Sequence, residues 1–201
     1  LIEGAVGAIF AGGRSKRFGS EKAVALIGGR PLIELAASHL APHAAEIAVN
    51  APAGSGAAAW AQNAGCALTP DASGDPSGPL SGIKAALAWA VTRRAQILLT
   101  APCDTPLLPA DVYPRLAAAL DAGQVAVAEA ADGLHPLCGA WRPQVLGAVT
   151  EALASGAHPP VRSLLTLLGA GHVRFDDAAA FANVNTPDDL AWAEARLPGA
   201  R

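Results

Sequence analysis

Two stretches of the chain carry the residue types that handle phosphate. The first, IFAGGRSKRFGSEK at residues 9–22, runs from an apolar segment into Gly12 and Gly13, then Arg14, Lys16, Arg17 and Lys22. Glycines let a main chain approach a ligand and present N–H groups with no Cβ in the way. The cations around them supply positive charge. The second stretch is ILLTAPCD at residues 97–104, an apolar run that stops at Asp104. A carboxylate ending a buried strand projects over the carboxyl edge of a sheet, where open α/β folds bind ligands. It is also a hard ligand suited to a divalent cation such as Mg²⁺. Each stretch has a plainer reading: a tight solvated basic turn for the first, and a cap on the turn after the strand for Asp104. Glycine spacing does not choose, because both the P-loop pattern G-x-x-x-x-G-K-S/T and the dinucleotide fingerprint G-x-G-x-x-G are absent.

Other polar residues fall at matching places. Asn50 ends a second apolar run, and its amide can donate and accept at once, which suits a base or ribose contact or a turn cap. Asp71 opens the loop DASGDPSGPLSG, where a solvated aspartate is the plain reading and Asp75 its competitor. Asn183 and Asn185 alternate around Val184, so a strand there puts both amides on one face. His135 lies before a proline between two expected strands and reads equally as a structural histidine. Cys103 is next to Asp104, but strand alternation turns it away, and no histidine lies near it in sequence; it reads as buried packing.

The elements that must position these residues follow from periodicity. Residues 4–11 form a continuous apolar strand of the kind found in parallel sheets covered on both sides. Further strands are expected at 23–29 (a short one ending in a turn), 46–50, 66–71, 95–104, 124–130, 134–141, 172–175 and 181–185. Helices are expected from Pro31 to about residue 40, at 53–63, 81–91, 109–121, 145–154 and 161–168, and from Pro187 to about residue 197. Strands alternating with helices of this length give a three-layer α/β/α sandwich with a Rossmann-like, mostly parallel sheet. No linker or repeat divides residues 1–201, so one domain is expected.

Composition agrees. Of 201 residues, 52% are apolar, enough for a sizeable core, and the formal net charge is −3 with scattered Lys and Arg. That balance argues against a protein that wraps nucleic acid but not against one that binds a single nucleotide. The three cysteines are widely spaced, with no zinc or redox pair. The apolar opening lacks a basic leader and reads as a strand, and no apolar run reaches the ~18 residues of a membrane span. A cytoplasmic monomer is the expectation.

The string AGGRSKRFGSEK as a whole is far more specific than its glycines. It resembles the signature L-A-G-G-x-S-x-R-M-G-x-D-K of the nucleotidyltransferases of the molybdenum cofactor pathway. Phe10, Phe18 and Glu21 stand where Leu, Met and Asp are usual. GPLSGI (78–83), PCDTPLLP (102–109), HPLCGAW (135–141) and FANVNTPDDL (181–190) follow in the order expected of the molybdenum cofactor guanylyltransferases. The resemblance implies a fold of the nucleotide-diphospho-sugar transferase type and a Mg²⁺-dependent transfer of GMP from GTP to molybdopterin, releasing diphosphate. It implies nucleotide contacts at Phe10, Ala11, Gly12, Gly13, Arg14, Lys22, Asn50 and Asp71, along Gly78, Pro79, Leu80 and Gly82, and at Asp104.

Asp104 would hold the metal, and Asp104, Lys22 and Arg17 would be the catalytic residues. His135, Asn183 and Asn185 would face molybdopterin, with Arg162 adding a phosphate contact. A molybdopterin-supplying protein and a client molybdoenzyme are expected as transient partners. The rivals are a molybdopterin cytidylyltransferase, a sugar-nucleotide pyrophosphorylase and, in a different class, a silent nucleotide-binding adaptor for a molybdoenzyme.

Overall fold

In the computed structural model, residues 1–12, 21–76, 78–154 and 159–197 are described. The apolar run near the start becomes strand β1 (Ala5–Phe10), buried at every position. It is central to a seven-stranded sheet. Following the hairpin strands β2 (Leu26–Ile27) and β3 (Arg30–Pro31) come β4 (Ile47–Asn50), β5 (Ala67–Leu68), β6 (Ile97–Pro102), β7 (Val125–Ala130), β8 (Gly133–Trp141) and β9 (Gly171–Arg174). The order across the large sheet is β5-β4-β1-β6-β8-β7-β9. β8 runs antiparallel to both β6 and β7, and the remaining pairs are parallel. The mostly parallel expectation therefore stands, with β8 the reversed strand.

Register positions the site. Phe10 lies opposite Asn50 on one side and Pro102 on the other. The ends of β4, β1 and β6 therefore coincide, and Asn50, the first loop and Asp104 emerge along one edge.

Helices cover both faces: α1 (Leu32–Leu40), α2 (Gly56–Asn63), α3 (Pro79–Thr92), α4 (Val112–Ala118), α5 (Leu146–Ala154) and α6 (Val161–Leu167). Strand alternation sorts the core. Ile9, Leu99, Ala101 and Ala126 pack with Ile33, Leu40, Ala57, Ala61 and Tyr113 from α1, α2 and α4. Val6, Ala8, Phe10, Leu98, Val127 and Trp141 pack with Leu80, Ile83, Leu87, Val149 and Leu164 from α3, α5 and α6. The three-layer sandwich is thus observed. A third cluster, Ile27, Leu32, Leu35, Val184 and Ala193, joins α7 (Pro187–Glu194) to the hairpin.

Two expected strands are corrected. Residues 23–29 do not form one strand. A 3-10 turn, Lys22–Val24, leads into β2, which pairs antiparallel with β3. Gly28 and Gly29, at φ +57° and +77°, make the two-residue turn between them, a geometry that side-chain-bearing residues resist. Pro31 consequently closes β3, and α1 starts at Leu32.

Residues 181–185 are also not a strand. A 3-10 turn, Ala178–Phe181, is followed by chain without ladder partners. Val184 points inward between exposed Asn183 and Asn185 as alternation requires, but its N–H donates to the Asp104 carbonyl at 2.8 Å. Asp104 follows β6, which is already flanked by β1 and β8, so no ladder position is open there and this segment crosses the carboxyl edge instead of extending the sheet. The expected helix at 109–121 is shorter, tightening after α4 into a 3-10 turn, Ala119–Ala122.

Candidate active site

Lys22 reaches across the carboxyl edge to Asp104. Its Nζ lies 2.6 Å from Asp104 Oδ2 and also donates to Asn185 Oδ1 at 3.0 Å. Three sequence-distant segments thus meet at one ammonium group. Each owes its place to local chemistry. Asp104 follows β6, and its carbonyl is held by Val184 N–H. Asn185 is fixed by the capping box of α7, in which the Thr186 side chain accepts from Asp189 N–H and Asp189 Oδ2 accepts from the N–H groups of Thr186 and Asn185. The Asn185 N–H, followed by the Thr186 hydroxyl, holds the Asp189 carboxyl below its ordinary value. Lys22 begins a 3-10 turn just behind Glu21, whose carboxylate caps α2. The cap reading for Asp104 is set aside, because its carboxylate goes to Lys22.

A second cluster lies along the same edge. Asn50 is buried, and its Nδ2 donates to the Thr69 carbonyl at 2.6 Å and to Asp71 Oδ1 at 3.0 Å. With both amide hydrogens engaged, the side chain offers only an acceptor, Oδ1. That oxygen faces the main chain at Gly12 and Gly82. A Cβ on Gly12 would lie 3.6 Å from it, and one on Gly82 only 2.6 Å. Gly82 is therefore glycine because Asn50 occupies the space. The loop leading to α3 is stapled from both ends: Lys84 pairs with Asp75 at 2.8 Å, and Ser81 Oγ donates to the Pro76 carbonyl. Asp75 is a staple, whereas Asp71 stays exposed beside Asn50.

Gly82→Ala is expected to push Asn50 or α3 aside, since Asn50 is tied at Nδ2 and has no slack. Tenfold or more, as an order of magnitude, should appear in the KM for nucleotide, and steady-state kinetics beside thermal denaturation of the variant would read it.

The remaining predicted residues fall as follows. Phe10 and Leu80 are buried in the core, so only their main chains face the edge; Gly78 is half-buried and Pro79 exposed at the start of α3. Gly13, Arg14 and Arg17 lie outside the described residues. Asn183 is exposed two residues before Asn185. His135 stacks on Phe181, with ring centroids 4.8 Å apart, and its Nε2 lies 3.0 Å from Asp132 Oδ1. Among the described residues its link to the Lys22 cluster runs through the segment 181–185, by way of Phe181. Arg162 donates to the Leu134 carbonyl at 3.1 Å, beside the start of β8, and makes no contact with that cluster among the described residues. Cys103 is buried, and burial, followed by the adjacent Asp104 charge, pushes its thiol up to about 12. A thiol held so far into its neutral form is no nucleophile.

Sequence reasoning did not assign roles to Glu21, Thr69 and Asp189. The T-x-x-D spacing of a capping box marks Asp189. Nothing local marks Glu21 or Thr69, whose partners are distant in sequence.

Among the described residues no three His, Cys, Asp or Glu side chains gather to hold a metal. A single strand-end carboxylate does suit Mg²⁺, which keeps several waters and is bound through one or two carboxylates plus substrate phosphates. The edge therefore combines a carboxylate, an ammonium group, a fixed amide acceptor and a glycine-lined approach, a set fitted to aligning phosphates.

Comparison with known proteins points the same way. The family model of the MobA-like NTP transferase domain matches residues 7–172. Molybdenum cofactor guanylyltransferase of Cereibacter sphaeroides is 41% identical over 192 residues, covering 95% of this chain and 96% of the relative. The enzyme of that name from Rhodobacter capsulatus is 37% identical over 194 residues, covering 95% of each. Among solved structures, molybdopterin-guanine dinucleotide biosynthesis protein A of Archaeoglobus fulgidus superposes with a TM-score of 0.76 at 23% identity, over 94% of this chain and 97% of that one; this likeness shows the fold.

Proposed function

The chain belongs to the MobA-like NTP transferase family, and from that premise we propose that it is a GTP-dependent molybdenum cofactor guanylyltransferase. It is a nucleotidyltransferase that moves GMP from GTP to the molybdopterin cofactor and releases diphosphate. The observation that carries the assignment of roles is the convergence of Lys22, Asp104 and Asn185, from the glycine-rich loop, the end of β6 and the segment before α7.

In the reaction an oxygen of the terminal molybdopterin phosphate forms a bond to the α-phosphorus of GTP, and the bond from that phosphorus to the diphosphate oxygen breaks. No protein nucleophile is needed, consistent with the inert Cys103. Lys22 brings positive charge to the phosphates, and Asn185 holds that ammonium group from the side of the second substrate. Asn50 offers Oδ1 to a donor on the nucleoside, and the glycines around it keep the main chain close. Asp104 is the residue that would hold Mg²⁺, which when bound neutralises charge developing on the leaving diphosphate. His135 and Asn183 extend the molybdopterin side, and Arg162 stands farther out along β8. Catalysis of this kind is positioning and electrostatic stabilisation.

No helix among the described residues is long and apolar enough to cross a membrane. A cytoplasmic monomer, meeting its cofactor supplier and client enzyme transiently, completes the proposal. Diphosphate release measured separately with GTP, CTP and ATP, in the presence of Mg²⁺ and molybdopterin, tests it. Release with GTP alone is expected. Release with CTP would move the assignment to cytidylyl transfer, and binding of GTP without release would make the protein an adaptor.

A further inference from the structure

Glu21 lies one residue before Lys22 and reaches in the opposite direction. Its Oε2 accepts from Gly56 N–H at 2.6 Å and its Oε1 from Ala57 N–H at 2.8 Å. These are two of the N–H groups that the first turn of a helix leaves without intrahelical partners, at the positive end of its dipole. Ser55 accepts from a third, that of Ala58, at 3.1 Å. The fit around Glu21 is close: a Cβ on Gly56 would lie 2.9 Å from Glu21 Oε2 and 3.3 Å from both Val24 methyl groups. α2 itself is anchored, since Ala57 and Ala61 are buried against the sheet.

We propose that Glu21 is a positioning residue for Lys22, clamping the end of the glycine-rich loop to the start of α2 so that the lysine is rooted within reach of Asp104 and Asn185. Lysine has a flexible four-carbon stem, and a cation on such a stem is placed only as well as its Cα. The Glu21 carbonyl accepts from Val24 N–H at 3.3 Å, and the Lys22 carbonyl accepts from Ala25 N–H at 3.0 Å, so carboxylate and lysine belong to one turn. Releasing the carboxylate frees the root of Lys22. Displacements near one ångström at a reacting group cost up to ~100-fold in rate. This role rests on the function proposed above.

A simple helix cap would give the same contacts, so the test separates the two with Ser55→Ala, which removes a cap from the same helix without touching Lys22. Glu21→Ala, Ser55→Ala, Lys22→Met and the double variant Glu21→Ala/Lys22→Met are compared by thermal denaturation, by equilibrium GTP binding and by GTP-dependent diphosphate release. Both cap variants are expected to melt earlier. Only Glu21→Ala should lose kcat/KM, by roughly tenfold or more, and the double variant should bind GTP and turn over no worse than Lys22→Met. Gly56→Ala should reproduce the Glu21→Ala loss, because its Cβ displaces the carboxylate.

Wild-type kinetics in Glu21→Ala, or losses that multiply in the double variant, would overturn the proposal. Should Glu21→Ala not fold, Glu21→Gln keeps the volume and carries the same cycle with a smaller loss. If the wild type releases no diphosphate at all, it is the guanylyltransferase reading that fails; the cycle on GTP affinity then still decides whether Glu21 acts through Lys22.

Discussion

Asp104→Asn is expected to reduce GTP-dependent diphosphate release by about two to three orders of magnitude while the protein stays folded and still binds GTP. The expectation follows from what the substitution changes. Asn has the shape of Asp, so Val184 N–H keeps its bond to the residue 104 carbonyl, and the side-chain oxygen still accepts from Lys22. Only the negative charge is removed, and with it the hard ligand at the end of β6. Structure and transfer are thereby separated. A loss of this size corresponds to about 3–4 kcal/mol of transition-state stabilisation, and it should fall on kcat more than on nucleotide affinity. The measurement is steady-state release beside calorimetric GTP binding and thermal denaturation. Full activity in Asp104→Asn would remove Asp104 from the chemistry and leave it as a partner for Lys22 alone.

Lys22→Met is expected to lower kcat/KM by about 100-fold. Methionine matches the lysine stem in length but carries no charge and donates no hydrogen bond. Both bonds from Nζ, to Asp104 at 2.6 Å and Asn185 at 3.0 Å, disappear together. Because the Lys22 side chain is 14% exposed, the apolar end fits where the ammonium group was, and the melting temperature should move little. Lys22→Arg should not restore the rate, since a planar guanidinium cannot occupy a point between two acceptors this close. Kinetics of both variants with GTP and molybdopterin varied in turn would show whether the two substrates suffer alike, as a cation facing both requires. A KM effect on GTP with unchanged turnover would confine Lys22 to nucleotide binding.

What the sequence determined by itself were local matters. The continuous apolar run at residues 4–11 implied a strand covered on both faces, and the abrupt end of the run at 97–104 marked Asp104 as an edge carboxylate. Strand–helix alternation implied the three-layer architecture, and Pro187 marked the start of the last helix. These depend on propensity, burial periodicity and capping, which are properties of neighbouring residues. Periodicity also misled where a partner was required. Asn183, Val184 and Asn185 alternate like a strand, yet a strand exists only if a ladder accepts it, and β1 and β8 already flank β6 where the segment meets Asp104.

Only the tertiary structure decided which residues meet. Lys22 is 82 positions from Asp104 and 163 from Asn185, and no local preference encodes such a pairing. It follows from strand order, from the coincident ends of β4, β1 and β6, and from the packing of α7 on the hairpin, which carries the C-terminal segment across the carboxyl edge. The same holds for Gly82. In sequence it is a glycine near the start of a helix; in the fold it is the space that Asn50 needs. Glu21 reads as a mild departure from a signature, and becomes a clamp only because α2 begins beside it.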